Sequence, residues 1–163
     1  MKVFLIRHAE AIDLETGIVS SDAYRFLTPK GRKTSRNVFR KLKEELANPG
    51  IIFTSPLIRA VQTAEILANT VKFENELEVT NELALASSGR EVLNLVKKNT
   101  AFDSVVLVGH EPMLGMIVHS VSERKDHSFS FKKSGVCRID YEIKSDNWKF
   151  AWYYNPKTEE FIK

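Results

Sequence analysis

The sequence contains a single cysteine, Cys137, so no disulfide can form within the chain. Because stable disulfides belong to oxidising compartments, their absence favours a reducing one, and we expect a cytoplasmic protein. No apolar run is long enough to cross a bilayer, and the first residues do not combine a basic leader with an apolar stretch and a cleavage site. We therefore expect no membrane partner.

Two kinds of nucleotide-binding loop are also missing. The sequence has neither a Gly-x-Gly-x-x-Gly stretch nor a Gly-Lys-Ser/Thr loop, so dinucleotide and P-loop functions have no support. The net charge of +3 is small. Although residues 30–43 are rich in Lys and Arg, a solvated helix face explains them better than a nucleic-acid surface, and we expect no nucleic-acid partner.

The length and the arrangement of apolar residues predict one α/β domain over residues 1–163. At this length a chain forms one good core, and we expect a monomer. Continuous apolar runs predict buried strands at 3–6, 51–53 and 105–108. Helical spacing and capping residues predict helices at 30–46, 56–71, 88–98 and 112–121. Strands that alternate with helices favour a parallel, doubly wound sheet.

The last part of the chain shows a different pattern. Cys137, Ile139, Tyr141 and Ile143 alternate with other residues, and Phe150 and Trp152 share one parity in the same way. Alternation at period two is typical of strands with one buried face. We expect a hairpin here, at the edge of the sheet, with Cys137 in the core.

Chemically active side chains follow three of the predicted strands. Arg7 and His8 follow the first apolar run, Arg59 lies one turn beyond the second, and His110 follows the third. Because open α/β sheets place their chemistry beyond the carboxyl ends of the strands, these four residues should converge on one rim.

Such a group of residues suits an oxyanion. Two arginines offer planar forks of donors to a phosphate or a carboxylate, and a neutral imidazole is a competent nucleophile toward phosphorus. Neighbouring cations should lower the pKa of that imidazole. A second histidine, if protonated, could stabilise the transferring oxygens. Metal binding is the rival use of paired histidines, but fixed arginines would repel a cation, so we expect no metal site.

Four segments together resemble the signature of the histidine phosphatase superfamily. They are Leu-Ile-Arg-His-Ala-Glu-Ala at 5–11, Leu-Thr-Pro-Lys-Gly at 27–31, Thr-Ser-Pro-Leu-Ile-Arg-Ala-Val-Gln-Thr-Ala at 54–64, and Val-Gly-His-Glu-Pro at 108–112. Among the members of that superfamily, the short chain most resembles the SixA-like phosphohistidine phosphatases.

The resemblance implies a fold and a set of roles. The fold would be a three-layer α/β/α sandwich with a mostly parallel central sheet. His8 would be the nucleophile, and Arg7, Arg59 and His110 would form the phosphate pocket, with no metal ion or other cofactor. Ala9 departs from the family pattern, since many members have glycine there.

The general acid is the least defined part of the predicted site. Relatives that hydrolyse phosphate esters use a carboxylate between the second and third motifs, and Glu82, after a short predicted strand at 77–79, is the nearest candidate. A solvated loop glutamate is the alternative interpretation. Glu10 is a further candidate, weaker than Glu82, because it follows His8 closely in the chain.

Three functions remain open from the sequence. The first is hydrolysis of phosphohistidine on a signalling or phosphotransfer protein, the second is a phosphomonoesterase or mutase acting on a small phosphate ester, and the third is a non-catalytic phosphate-binding module. The short segment at 72–104 favours an open site and therefore a protein substrate. The basic pairs at 124–125 and 132–133 are candidates to attract an acidic partner, whereas His119 and His127 are interpreted as structural.

Overall fold

One mixed sheet organises the computed structural model, which describes residues 1–122 and 130–163. Its strands are β1 (Lys2–Arg7), β2 (Ile51–Thr54), β3 (Glu78–Val79), β4 (Ser104–Gly109), β5 (Val136–Glu142), β6 (Asn147–Asn155) and β7 (Glu160–Ile162). The helices are α1 (Pro29–Lys41), α2 (Ile58–Val71), α3 (Gly89–Lys98) and α4 (Met113–Val121). The strand order is β3-β2-β4-β1-β5-β6-β7, so β1 lies in the middle of the sheet.

The sheet has a parallel half and an antiparallel half. Strands β3, β2, β4 and β1 run parallel to one another, as the alternation of strands and helices predicts. Strands β5, β6 and β7 pair in antiparallel fashion, and β5 joins them to β1. The sheet is therefore less uniformly parallel than expected, because the short connections after β5 and β6 permit only antiparallel neighbours.

Helices cover both faces of the sheet and complete a three-layer α/β/α sandwich. Alternate residues of β1 explain why both faces are apolar: Phe4 and Ile6 pack into one cluster, and Val3 and Leu5 pack into the other. The first cluster contains the buried apolar side chains of α1 and α2, and the second contains those of α3 and α4. A strand buried on both faces reads as a continuous apolar run, which is the signal present in the sequence.

The helix ends follow local capping chemistry. Thr28 caps α1 by accepting a hydrogen bond from the backbone N–H of Gly31, and Ser88 forms a full capping box with Glu91 at the start of α3. Helix α1 ends at Lys41 rather than at residue 46, but the turns that follow keep Leu42 and Leu46 buried. The apolar spacing there marks the core and not the helix end.

A β-bulge changes the faces on which the last aromatic residues lie. The β5–β6 pairing shifts between Arg138, which pairs with Trp152, and Ile139, which pairs with Phe150. Ala151 is the extra residue, so Phe150 and Trp152 pack into different clusters, and the prediction that they share a face is wrong. The predicted hairpin is β5–β6, with β7 added beyond it at the edge.

Other expectations concern single residues. Cys137 is fully buried on β5, as predicted, and burial raises the pKa of its thiol. His119 is exposed on α4, and His127 lies outside the described residues together with the basic pair at 124–125. In the part of the chain that the structure describes, no helix combines the length and the apolar character needed to cross a membrane.

Candidate active site

The carboxyl ends of β1, β2 and β4 meet at one rim, as the sequence predicts. Strand β4 pairs with β1 on one side and with β2 on the other, which brings the residues after each strand together. The backbone N–H of His8 donates to the carbonyl of Gly109 at 3.0 Å, and that of Ser55 donates to Val108 at 3.0 Å. The rings of His8 and His110 consequently lie 4.9 Å apart between centroids, tilted by 54°.

His8 is held as a neutral imidazole with a defined tautomer. Its Nδ1 lies 2.7 Å from the carbonyl oxygen of Ala9. Because a carbonyl oxygen only accepts, Nδ1 must carry the hydrogen, and the lone pair is left on Nε2. Burial, with smaller contributions from His110, Arg59 and Arg7, lowers the pKa of His8 to about 3. Cations lower this pKa as predicted, although burial is the larger cause.

His110 is also neutral in this state. Burial, followed by the charge of Arg59, lowers its pKa to about 4, so the protonated form considered from the sequence is not the resting form. Its Nε2 lies 2.8 Å from Oγ of Ser55, which also accepts the backbone N–H of Leu57. The Ser55 hydroxyl can therefore donate to Nε2 while it accepts from Leu57, and in that arrangement the hydrogen of His110 is on Nδ1.

In both Arg7 and Arg59, hydrogen bonds to protein acceptors hold one or both Nη atoms of the guanidinium group. Nη1 of Arg7 donates to the carbonyl of Phe131 at 2.6 Å. Arg59, which is only 3% exposed, donates through Nη1 to the carbonyl of Asp22 and through Nη2 to its Oδ2, both at 2.8 Å. These contacts fix both planes before any ligand arrives.

Three buried nitrogen atoms of the site remain without a hydrogen-bond partner among the described residues. They are Nε of Arg7, Nε of Arg59 and Nδ1 of His110. Buried polar groups are nearly always paired, since each unpaired donor costs about 1–3 kcal/mol. A tetrahedral oxyanion beside His8 would supply acceptors for such donors, so the arrangement suits a phosphoryl group.

Thr63 and Glu111 are positioning residues that were not predicted from the sequence. Oγ1 of Thr63 accepts the backbone N–H of Ala9 at 3.0 Å and donates to the carbonyl of Arg59 at 2.7 Å, which ties the loop of the nucleophile to α2. The carboxylate of Glu111 accepts the backbone N–H of Phe131 at 2.5 Å and that of Gly115 at 3.2 Å. Because Phe131 holds Arg7, Glu111 acts on Arg7 indirectly.

Asp22 and Ser55 are the contact residues that the sequence analysis missed. Ser55 carried a signal, because it directly follows the buried strand β2, which lies in the same parallel half of the sheet as the strands that lead into His8 and His110. Asp22 carried none, since it belongs to a short 3-10 turn, Asp22–Tyr24, in an irregular polar segment. Hydrogen bonds from Arg25 and Arg59 outweigh burial and hold the pKa of Asp22 below its usual value.

Glu82 lies near the rim but is not joined to the site. It belongs to a 3-10 turn, Asn81–Leu83, whose buried Leu83 packs beside Gly109. Its carboxylate accepts a hydrogen bond from the hydroxyl of Thr80, and this bond lowers its pKa. Within residues 1–122 and 130–163, no hydrogen bond or ion pair connects Glu82 to any of the four predicted site residues.

Glu10 is committed to other partners. Its Oε1 accepts from the hydroxyl of Thr28 at 2.8 Å, and its Oε2 lies 3.5 Å from Nζ of Lys30. The Thr28 hydrogen bond lowers the pKa of Glu10, with Lys30 contributing. An ionised carboxylate with two partners is a poor proton donor, so this arrangement does not favour Glu10 as the general acid.

The part of the chain that the structure describes contains no group of three or more His, Cys, Asp and Glu side chains arranged to hold a metal ion. The donors that surround His8 and His110 are instead cationic or neutral. Those donors suit anions.

Comparisons with known proteins agree with this geometry. The family model described as histidine phosphatase superfamily (branch 1) matches residues 3–90. Phosphohistidine phosphatase SixA of Escherichia coli K12 is 28% identical over 163 residues, which cover 96% of this chain and 94% of that protein. An uncharacterized protein of a Picosynechococcus strain is 34% identical over 139 residues, which cover 83% of this chain and 82% of that protein.

The similarity extends to a solved structure. The protein histidine phosphatase SixA complexed with tungstate superimposes with a TM-score of 0.86 at 26% identity, covering 98% of this chain and 100% of that chain. The likeness therefore includes the antiparallel half of the sheet, beyond the residues that the family model matches.

Proposed function

The chain belongs to the histidine phosphatase superfamily and is a phosphatase, and on that premise we propose that it hydrolyses phosphohistidine on a signalling or phosphotransfer protein through a phosphorylated His8. The observation that carries this proposal is the hydrogen bond from Nδ1 of His8 to the carbonyl of Ala9. It leaves the Nε2 lone pair available at neutral pH, where the imidazole is uncharged.

The first step forms one P–N bond and breaks another. Nε2 of His8 attacks phosphorus, and the electron pair of the substrate's P–N bond returns to the substrate imidazole. If that imidazole is already protonated on its other nitrogen, it leaves as a neutral ring and requires no proton from the enzyme. His8 becomes a phosphorylated imidazolium, whose Nδ1–H remains on the carbonyl of Ala9.

The second step hydrolyses the phosphorylated His8. A water oxygen attacks phosphorus, the P–Nε2 bond breaks, and its electron pair restores the neutral imidazole of His8. The proton lost by water leaves with the phosphate or enters the solvent. Arg7, Arg59 and His110 are assigned to the transferring oxygens in both steps, because each keeps a buried nitrogen without a protein partner in the described residues.

The ionised form of Glu82 supports a substrate in which the bond to be broken is P–N, as in phosphohistidine. An alkoxide leaving group needs a proton, and general-acid catalysis contributes a factor of about 10²–10⁴. Glu82 is held in its ionised form by Thr80, and among the described residues it makes no hydrogen bond or ion pair with His8 or His110. The alternative function, a phosphatase for small phosphate esters, would need Glu82 to move and to become protonated.

Two of the comparisons support the proposal. The Escherichia coli relative is named for phosphohistidine, and the solved relative is complexed with tungstate, a tetrahedral oxyanion like phosphate. A non-catalytic phosphate-binding module, the third possibility, needs no nucleophile, whereas His8 is held in a nucleophilic tautomer. We propose in addition that turnover needs no metal ion and that the protein acts as a cytoplasmic monomer.

The test compares substrates and traps the intermediate. We expect kcat/KM for a phosphohistidine peptide to exceed that for p-nitrophenyl phosphate, with acid-labile phosphate trapped on the wild type during turnover. His8→Ala should remove both turnover and label, whereas His119→Ala, which changes an exposed histidine on α4, should keep both. Activity should also survive exhaustive chelation. Faster hydrolysis of esters than of phosphohistidine would favour the alternative substrate class.

A further inference from the structure

A basic groove of about 560 Å³ is lined in part by Arg7 and extends from the phosphate site over residues that do not belong to that site. Five of its lining side chains are cationic and one is anionic, so the groove carries more positive charge than the +3 of the whole chain. These charged residues are Arg7, Glu10, Lys30, Lys132, Lys133 and Lys157. We propose that the groove binds an acidic segment next to the phosphohistidine of a protein substrate, an inference that rests on the proposed function.

The groove begins within one residue of the nucleophile. Ser134, which also lines it, donates its backbone N–H to the carbonyl of His8 at 3.3 Å. Arg7 belongs to both the groove and the phosphate site. A substrate that placed its phosphoryl group on His8 would therefore bring the neighbouring part of its own chain over these lysines.

The turn that carries Lys132 and Lys133 is fixed at both ends. Phe131 and Ser134 are fully buried, while the two lysines between them are exposed. The hydroxyl of Ser134 lies 3.0 Å from that of Ser35, and the backbone N–H of Lys132 donates to the Tyr153 hydroxyl at 2.8 Å. Anchored in this way, the turn holds two positive charges beside the site.

Most of these charges are not neutralised within the protein. Glu10 pairs with Lys30 at 3.5 Å. Lys132, Lys133 and Lys157 form no ion pair with any residue in 1–122 or 130–163. Clustered cations repel one another, so carboxylates of a partner would relieve that repulsion as well as forming new pairs.

The form of the groove favours a protein segment over a small polyanion. Small-ligand sites enclose the ligand and fix it with a few precisely placed polar groups. Here four of the five cationic side chains are lysines rather than arginine forks. Lys30 is 80% exposed, and four separate parts of the chain contribute to the groove. Exposed lysines give little energy one at a time but together attract an acidic surface and speed its association.

The test uses two synthetic phosphohistidine peptides, one flanked by glutamates and one flanked by glutamines. We expect the wild type to prefer the acidic peptide, measured as the ratio of the two kcat/KM values. Lys132→Glu/Lys133→Glu should lower this ratio about ten-fold at about 0.02 M salt, and the loss should shrink at about 0.5 M salt. Lys132→Gln/Lys133→Gln should lower it less, since it removes charge without reversing it.

The matched control is Lys2→Glu/Lys144→Glu. It changes the net charge equally, but both exposed lysines lie toward the opposite end of β1 from Arg7. If the control lowers the ratio as much as the groove variant, or if the wild type treats both peptides alike, the groove proposal is wrong. Competition by duplex DNA as strong as that by an acidic peptide would also overturn it. A wild type that hydrolyses neither these peptides nor phosphoimidazole would instead refute the proposed function.

Discussion

Asp22 presents a carboxylate to Arg59, with Oδ2 2.8 Å from Nη2 while the backbone carbonyl of the same residue accepts from Nη1. Arg25 holds this aspartate from the other side, at 3.0 Å from Oδ1. One N–H of each Nη of Arg59 is thereby occupied, and Nε, which has no partner among the described residues, is left for the substrate. The phosphoryl group enters a site in which one cation is already partly neutralised.

Asp22→Asn should tighten the binding of inorganic phosphate by about five-fold. The reason is that removal of one negative charge near a bound anion is worth about 1 kcal/mol where water screens the interaction. The measurement is the inhibition constant of phosphate against a phosphohistidine peptide. Asp13→Asn is the control, because Asp13 lies 3.6 Å from Arg25 but makes no contact with Arg59. Unchanged or weaker binding in Asp22→Asn would show that orientation of Arg59 matters more than its charge balance.

Arg7→Lys and Arg59→Lys should each lower the rate of phosphoryl transfer by about a hundred-fold or more. Lysine keeps the charge but cannot hold a backbone carbonyl and an oxyanion with one planar group. Single-turnover kinetics would measure the transfer step directly. Arg138→Lys serves as the control, since Arg138 pairs with Asp140 away from the rim. Kinetics like those of the wild type in either site variant would contradict a direct contact with phosphate.

Glu82→Gln separates the two substrate classes. If the leaving group is an imidazole, this change should alter phosphohistidine hydrolysis by less than about two-fold while suppressing whatever ester hydrolysis exists. Steady-state kinetics on a phosphohistidine peptide and on p-nitrophenyl phosphate provide the comparison. Glu78→Gln, which changes an exposed glutamate on β3, is the matched control. A large loss on phosphohistidine would make Glu82 the general acid for that reaction too.

Protein stability should fall as the pH drops from about 6.5 toward 4. Burial lowers the pKa of His8 to about 3 and that of His110 to about 4, from an ordinary value of 6.5. Below 6.5 the unfolded chain therefore binds protons that the folded chain does not, and the free energy of unfolding falls by about 1.4 kcal/mol per pH unit for each histidine. Urea titrations at several pH values measure this slope.

His110→Asn should reduce that slope by the contribution of one proton, which is about 1.4 kcal/mol per pH unit. We expect this reduction whatever the effect of the substitution on stability at neutral pH. His119→Asn removes an exposed histidine outside the site and controls for the substitution itself. A slope in His110→Asn equal to that of the wild type would mean that His110 takes up its proton in the folded state.

The parallel half of the sheet was predictable because its strands are buried on both faces and read as unbroken apolar runs. The convergence of His8, Arg59 and His110 followed from that prediction alone, since the carboxyl ends of parallel neighbours share one rim. The bulge at Ala151 was not predictable, because one extra residue in β6 moves the neighbouring side chains to opposite faces of the sheet without changing the composition. The reversal is visible only in the pairing register.

The partners of the site residues were harder to predict than the residues themselves. Asp22 reaches Arg59 from 37 positions away, and Thr63 reaches Ala9 from 54 positions away. Neither contact leaves a local pattern in the sequence. Glu82 shows the opposite case, in which proximity along the chain to a strand end suggested a role that its hydrogen bond to Thr80 does not favour.

The hydrogen bond between His8 and Ala9 bears on which side chains can stand at position 9. The acceptor is a main-chain oxygen, which every amino acid carries, so the tautomer of the nucleophile does not depend on which side chain stands at position 9. Side-chain volume is the remaining constraint, because Ala9 is fully buried in the cluster below α1 and α2. Substitution of Ala9 by glycine should therefore alter packing and leave the chemistry of His8 intact.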